Sequence, residues 1–198
     1  GSIADVGSHA YDVVRWILGC EARRVLVHAD VISPPKPDLG EIDLGEAIEW
    51  GSEHEAGDAT ERKRGTAFDY ATIAWEFTND AIGAIILSHA PVLRKGICPE
   101  LELHGTSASL AVDRIKSTVT LYQPDDTDGV VEQIEDPGFG NRAAKHVFAS
   151  FEGQLGGMRG DHPGIDDGWR VQVFTDAAVA SANRGAWVEL AELDAEAS

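Results

Sequence analysis

The sequence has few cysteines and lacks long hydrophobic runs. It contains only two cysteines among 198 residues, Cys20 and Cys98, and they lie far apart in apolar surroundings. This spacing gives neither a disulfide framework nor a metal-binding cysteine cluster, so we expect a reducing, cytoplasmic location. No stretch has the pattern of a signal peptide, and no apolar run is long enough to span a bilayer.

Basic residues are also scarce. Lysine and arginine number 16 against 34 aspartates and glutamates, which gives a formal net charge of −18 at pH 7. Such an acidic chain repels phosphate backbones and anionic lipids, so we expect neither nucleic acid nor a membrane as its partner. The 43% hydrophobic content is that of a globular protein. The length allows a single domain or at most two small ones, and we expect one domain spanning residues 1–198.

Several functional motifs are missing from the sequence. No glycine-rich turn of the dinucleotide-binding type follows a predicted strand, and there is no P-loop or nucleophile elbow. The only methionine is Met158, so the sequence does not begin at a start codon. We therefore expect the chain to be a piece of a longer protein.

The first nineteen residues predict an amphipathic helix. Ser2 followed by Asp5 is similar to a capping box, and Gly19 suits the end of the helix. The apolar residues recur at helical spacing and predict a core-facing stripe. Its members are Ile3, Val6, Ala10, Val13, Val14, Ile17 and Leu18.

The opposite face of this helix carries Asp5, His9 and Asp12. Residues four apart are neighbours on a helix, so we expect the Asp5 carboxylate to contact the His9 imidazole. A histidine held by a carboxylate can exchange a proton near neutral pH, which makes this pair a candidate catalytic site. The alternative is structural, because an aspartate in a first helical turn is stabilised by the helix dipole alone.

Two further features bear on this site. Gly7 inside the helix costs about 1 kcal/mol relative to alanine, which indicates close packing or the close approach of a ligand. A metal site on Asp5, His9 and Asp12 is disfavoured because Asp12 lies nearly two turns from Asp5, and we expect no metal. The six remaining histidines are scattered and are expected to be surface or packing residues.

The rest of the sequence predicts an α+β fold. Helical spacing at 142–155 and again up to Asn183 predicts two late helices, and the end of the chain is expected to fray. The acidic stretch 38–61 is predicted to be a solvated insertion, with a lid or an oligomer contact as the alternative. Alternating segments predict strands at 23–31, 70–78, 82–90, 100–104, 109–113, 117–122, 130–135 and 186–190. We expect a large, mostly antiparallel, open-faced sheet with helices packed on one face.

The pattern Asp5-x-x-x-His9-x-x-Asp12, followed by an apolar helix ending at Gly19, resembles the Gfo/Idh/MocA oxidoreductase family. Three later stretches are also similar to the family, in the same order along the chain. They are 69–79 with its hairpin turn, the strand–glycine–strand step at 103–110, and the last helix and strand from Asp167 to Val188. Asp80 and Ala108 stand where a glycine is common, and the acidic stretch 38–61 is not part of the pattern.

The resemblance implies the C-terminal substrate-binding and oligomerisation domain of an NAD- or NADP-dependent enzyme, without the N-terminal Rossmann domain. It implies hydride transfer at the CH–OH group of a sugar, polyol or inositol-like substrate. His9 would be the acid–base group and Asp5 would orient it. Gly7 would admit the substrate, and His162 and Arg170 would lie at the rim of its pocket. The isolated chain is expected to be inactive and to form homo-oligomers through its open sheet face, with a non-catalytic binding module of the same fold as the alternative.

Overall fold

The computed structural model describes residues 1–54, 61–89, 101–113, 115–135, 141–158 and 162–196. A π turn at Ile3–Gly7 precedes the first helix. The helices are α1 (Ser8–Leu18), α2 (Leu44–Glu53), α3 (Asn141–Leu155), α4 (Ile165–Arg184) and α5 (Leu190–Glu196). The strands are β1 (Ala22–Asp30), β2 (Lys36–Pro37), β3 (Arg62–Lys63), β4 (Tyr70–Phe77), β5 (Ile82–Ser88), β6 (Leu101–His104), β7 (Ser109–Asp113), β8 (Thr118–Gln123), β9 (Asp126–Gln133) and β10 (Val188–Glu189).

The chain divides into two compact units. The first comprises Gly1–Leu93 and Pro163–Ser198, and the second comprises Arg94–His162. The assignment of all 198 residues to a single substrate domain stays a prediction. No helix in the described part of the chain is both long and apolar enough to cross a membrane.

The first unit is built on a four-stranded antiparallel sheet in the order β10-β1-β4-β5. Strand β4 alternates strictly between buried and half-buried residues, so that Ala71, Ile73, Trp75 and Phe77 face the core as their spacing predicts. Helix α4 covers this inner face with the residues expected from its periodicity. These are Val173, Phe174, Ala177, Ala178 and Ser181, all of which are buried.

An aromatic cluster forms the centre of this core. The rings of Tyr11 and Phe174 stack with their centroids 4.0 Å apart. Trp75 packs against Phe174 at 5.9 Å and edge-on against Phe77 at 5.6 Å. The cluster therefore joins α1 and α4 to the sheet.

The second unit contains an antiparallel meander of β6, β7, β8 and β9, each strand paired with the next. The same unit contains α3, whose bounds agree with the predicted helix to within a residue. The last hairpin turns earlier than expected, because Gln123 pairs with Asp126 and β9 begins there.

The predicted α+β class with antiparallel strands is confirmed. The described strands form two four-stranded sheets and the small β2–β3 ribbon, whereas the prediction has one large sheet. The acidic stretch is not wholly irregular, because α2 begins at a capping box in which Asp43 and Glu46 bond to each other's backbone N–H groups. The expected fraying after strand β10 is also wrong up to Glu196, since α5 follows directly.

The predicted core-facing stripe of α1 is partly wrong. Val6, Val13 and Ile17 are 42%, 51% and 41% exposed, whereas Tyr11 is fully buried. The buried face is rotated part of the way round the helix because the Tyr11 ring enters the aromatic cluster. Burial of its hydroxyl is tolerated because that group donates to Glu21 and accepts from the Ala22 N–H.

Close packing of the sheet on Trp75 gives a test of this core. A Cβ at Gly83 would lie 2.0 Å from the Trp75 indole nitrogen, whereas one at Gly168 in α4 would meet nothing within 4 Å. We expect Gly83→Ala to lower the free energy of unfolding by about 1–3 kcal/mol, because the indole must move. Gly168→Ala is the matched control and is expected to raise it by up to about 1 kcal/mol. Chemical denaturation measures both, and equal effects would contradict this packing.

Candidate active site

The π turn at the start of the chain presents Asp5 and leads into His9. It is a wider turn than an α-helical one, since the Gly7 N–H donates to the Ser2 carbonyl five residues earlier at 3.0 Å. The buried Ser2 does not cap the helix as predicted. Its backbone N–H and its hydroxyl both donate to the Phe68 carbonyl, at 2.7 and 3.2 Å, which fixes the turn to the chain entering β4.

Gly7 holds the π turn against the end of β5. It is buried, and a Cβ at this position would lie 2.9 Å from a methyl carbon of Leu87. The close approach inferred from the sequence is therefore made by a side chain of this protein. The role of Gly7 in admitting a substrate stays a prediction.

The predicted contact between Asp5 and His9 is not formed. The Asp5 carboxylate instead lies 3.5 Å from the Nε2 atom of His89, just beyond the end of β5. The i, i+4 rule assumes α-helical geometry, and Asp5 lies in the π turn, where that alignment does not hold. His9 is exposed, and within the described ranges its side chain has no hydrogen-bond or ion-pair partner.

His89 is fixed through its backbone. Its N–H donates to the Asp69 carbonyl at 2.7 Å. Asp69 is itself buried, and its carboxylate accepts hydrogen bonds from the N–H groups of Ile32 and Ser33 at 2.7 and 3.1 Å. The loop after β1, the entry to β4 and the residue after β5 are therefore tied together beside the π turn.

Arg15, near the end of α1, anchors this helix to neighbouring elements through ion pairs. The Arg15 guanidinium bonds to Glu21 at 2.7 Å, to Asp167 at 2.8 Å and to Asp12 at 3.1 Å. Asp12 is thus engaged in local pairing. Arg15 consequently links α1 to the start of β1 and to the first turn of α4.

The charges in this network reinforce one another. Burial would raise the pKa of Glu21, but hydrogen bonds from Arg15 and Tyr11 outweigh it and the pKa lies below its ordinary value. The pKa of Asp167 is also lowered, first by the Gly164 N–H and then by Arg15. Burial raises the pKa of Tyr11, so its hydroxyl stays protonated as a donor.

The structure describes the surroundings of both predicted rim residues. Arg170 lines a cleft with Glu21, Glu189 and Asp194, and its guanidinium lies 3.5 Å from the Asp194 carboxylate. His162 belongs to the second unit, where its Nδ1 atom lies 3.0 Å from the Ser150 hydroxyl. None of Asp5, Gly7 and His9 lines the Arg170 cleft, and the substrate-binding roles of both residues stay predictions.

Sequence reasoning missed His89 and Arg15. No local signal links His89 to Asp5, because the two are 84 positions apart in the sequence. Arg15 could have been noted, since it follows Asp12 at a helical spacing that favours an ion pair. In the described ranges, no group of three or more histidine, cysteine, aspartate or glutamate side chains is arranged to hold a metal ion.

The Arg15 network predicts a large stability loss when the arginine is removed. We expect Arg15→Leu to lower the free energy of unfolding by about 1–3 kcal/mol, because three half-exposed carboxylates lose the largely buried guanidinium that they share. Arg184→Leu is the control. Among the described residues its guanidinium pairs with the half-exposed Glu192, and the substitution should change stability by less than about 1 kcal/mol.

The same network makes the loss dependent on pH. The lowered carboxyl pKa values mean that the network stabilises the fold above the ordinary carboxyl pKa and less as pH falls through the lowered values. The difference between wild type and Arg15→Leu should therefore shrink on acidification. A difference that stays constant in urea unfolding from pH 7 to pH 3 would contradict this origin.

Solved structures with a similar fold are oxidoreductases. An oxidoreductase domain protein from Kribbella flavida aligns with a TM-score of 0.73 at 20% identity, over 96% of this chain and 51% of that protein. Levoglucosan dehydrogenase in complex with NADH and L-sorbose aligns with a TM-score of 0.72 at 20% identity, over 98% of this chain and 52% of the other. An NAD binding oxidoreductase from Klebsiella pneumoniae aligns at 0.72 with 21% identity, over 96% and 50%.

These similarities establish the fold, and the chain spans about half the length of each structure. No curated protein matches the sequence. The sequence pattern described as "Oxidoreductase family, C-terminal alpha/beta domain" matches residues 1–190. The chain therefore belongs to the Gfo/Idh/MocA oxidoreductase family, of which it is a C-terminal α/β domain.

Proposed function

We propose that this chain is the substrate domain of an NAD- or NADP-dependent oxidoreductase acting on the CH–OH group of a sugar, polyol or inositol-like molecule. The observation that carries the proposal is the rigidly held π turn that presents an exposed Asp5 and leads directly to an exposed His9. π turns are frequent at functional sites. Family membership and the complexes of levoglucosan dehydrogenase with NADH, levoglucosan and L-sorbose support the reaction class.

In this proposal His9 handles the proton of the reacting hydroxyl. During oxidation its neutral imidazole accepts that proton, and during reduction its charged form returns it. The Asp5 carboxylate, four residues earlier, orients the imidazole in the working site. A nicotinamide bound in the full-length protein would supply the hydride acceptor or donor.

The described residues do not fit a dinucleotide site of their own. A Rossmann site requires parallel strands and a glycine-rich turn that opens a helix. All strand pairs in the described part of the chain are antiparallel. We therefore assign no cofactor-binding residue to this chain, and we propose that the cofactor is held by a part of the full-length protein outside it.

The proposal also includes the three other predicted site residues, Gly7, Arg170 and His162. Gly7 shapes the turn next to the reacting groups, and Arg170 and His162 keep their proposed role as substrate-binding residues. The low cysteine content supports a cytoplasmic location, and the acidic composition supports the absence of nucleic acid and membrane partners. The small carbohydrate-like substrate is proposed from the family alone.

A second candidate function is a non-catalytic binding or oligomerisation module of the same fold. The absence of parallel strand pairs from the described ranges favours it, because such a chain could bind a sugar without transforming it. The two candidates differ in turnover: a module binds its sugar and never transforms it.

Both candidates include self-association through the outer face of the first sheet. Ile82 and Ile86 point away from the core and are 82% and 71% exposed, and Ala74 pairs with Ala84 between them. These exposed isoleucines lie on an edge strand, opposite Glu76 and Thr72 of β4, and such an edge is of the kind that a second copy would cover. We propose that the chain forms homo-oligomers through it.

Steady-state kinetics of the full-length protein test the catalytic role. We expect NAD(P)-dependent oxidation of at least one sugar or polyol, and His9→Asn should lower kcat about 10²–10⁴-fold with little change in KM, because proton transfer is lost. His104→Asn is the control, since His104 lies exposed on β6 of the second unit. The 198-residue chain alone should show no turnover. Full activity of His9→Asn, or turnover by the chain alone, would refute this assignment.

Light scattering tests the oligomer. We expect the wild-type chain to be a dimer or larger at high concentration, and Ile86→Lys to shift it toward monomer because a charge enters the apolar surface. Ile48→Lys on α2 is the control, since Ile48 is similarly exposed at 65% but lies outside the sheet. A wild-type monomer at every concentration would rule out this interface.

A further inference from the structure

The imidazole that faces Asp5 is His89, which neither the sequence pattern nor the family resemblance singles out. Its Nε2 atom lies 3.5 Å from an Asp5 carboxylate oxygen. Among the residues that the structure describes, no other side chain lies within ion-pair distance of Asp5. Among the described residues, His89 is therefore the side chain outside the π turn and α1 that can influence the rotamer of Asp5.

The Asp5 and His89 side chains differ in how freely they can move. The Asp5 side chain is 67% exposed, whereas that of His89 is 35% exposed. His89 follows β5 directly, and its backbone is bonded to Asp69. Leu87, two residues earlier, is buried against Gly7 of the π turn. The histidine is thus the fixed partner and the carboxylate is the movable one.

The role inferred for His89 rests on the proposed function. A carboxylate that must act on His9 or on a substrate hydroxyl needs one orientation, and an exposed aspartate samples several rotamers. An imidazole whose Nε2 atom lies 3.5 Å from one carboxylate oxygen favours one of these rotamers and leaves the second oxygen available. We propose that His89 is a positioning residue of this site, which holds the Asp5 carboxylate in its working orientation.

The contact is too exposed to serve mainly as a stability element. Exposed ion pairs contribute about 0–1 kcal/mol to folding. A comparable pair exists in the second unit, where His104 Nε2 lies 3.6 Å from the Glu102 carboxylate and both side chains are more than half exposed. That pair is a matched control, since it has the same chemistry and distance but lies in a different unit.

Activity of the full-length protein tests the proposal. We expect His89→Leu to lower kcat about tenfold with KM nearly unchanged, the loss that about 1.4 kcal/mol of transition-state stabilisation corresponds to. His89→Gln, which keeps an N–H donor near the same place, should recover most of the rate. In an Asp5→Asn background, His89→Leu should have no further effect, because a residue that acts through Asp5 cannot act without it. His104→Leu should be neutral.

A spectroscopic measurement gives a readout that does not depend on turnover. In protein labelled with ¹³C at the aspartate carboxyl groups, His89→Leu should shift the Asp5 resonance, and His104→Leu should leave it in place. Thermal unfolding of each variant identifies any that fail to fold, and His89→Ala, which also removes the imidazole, then serves in place of His89→Leu.

The outcomes separate the two proposals. An active wild type in which His9→Asn abolishes turnover but His89→Leu does not change it would overturn the role of His89 alone. Additive losses from Asp5→Asn and His89→Leu would do the same, since they would indicate independent actions. A wild type with no NAD(P)-dependent turnover on any sugar or polyol would overturn the proposed function, and the positioning role would fall with it.

Discussion

The structure of the first unit depends on the network centred on Arg15. Its guanidinium pairs with Glu21, which precedes β1, and with Asp167 in the first turn of α4. Glu21 also accepts a hydrogen bond from the hydroxyl of the buried Tyr11. Each of these groups would be costly to bury without the others. Because the network fixes the position of α1, it also fixes the π turn that runs directly into α1, and hence the direction in which Asp5 points.

Local rules predicted most of the elements because local forces form them. Period-two alternation identified the buried face of β4, and period-3.6 spacing identified the buried face of α4. The hairpin at Asn79 was also predictable, although Asp80 adopts a left-handed φ of 65° that a glycine would meet with less strain. Helix α2 was not predicted, although its signal, Asp43 followed by Glu46, is local. The acidic composition of the surrounding stretch instead favoured a solvated insertion.

The parts that sequence reasoning missed are those decided by tertiary contacts. Hydropathy places a tyrosine at the surface of α1, but Tyr11 is fully buried because Glu21 and the Ala22 N–H satisfy its hydroxyl. The spacing of Asp5 and His9 predicted a contact that π geometry removes. The contact that replaces it, with His89, depends on how the end of β5 meets the start of the chain, and no pattern within a single segment encodes that.

The candidate site combines a rigid frame with exposed reactive groups, and this combination constrains its chemistry. Ser2 and Gly7 are buried, while Asp5 and His9 face solvent. Charge interactions in such an exposed place are weakened by water, and enzymes strengthen them by closing the site. A proton-transferring pair on this surface therefore becomes effective only when another surface covers it. We propose that this covering surface lies outside the chain and supplies the dry environment in which Asp5 and His9 would act.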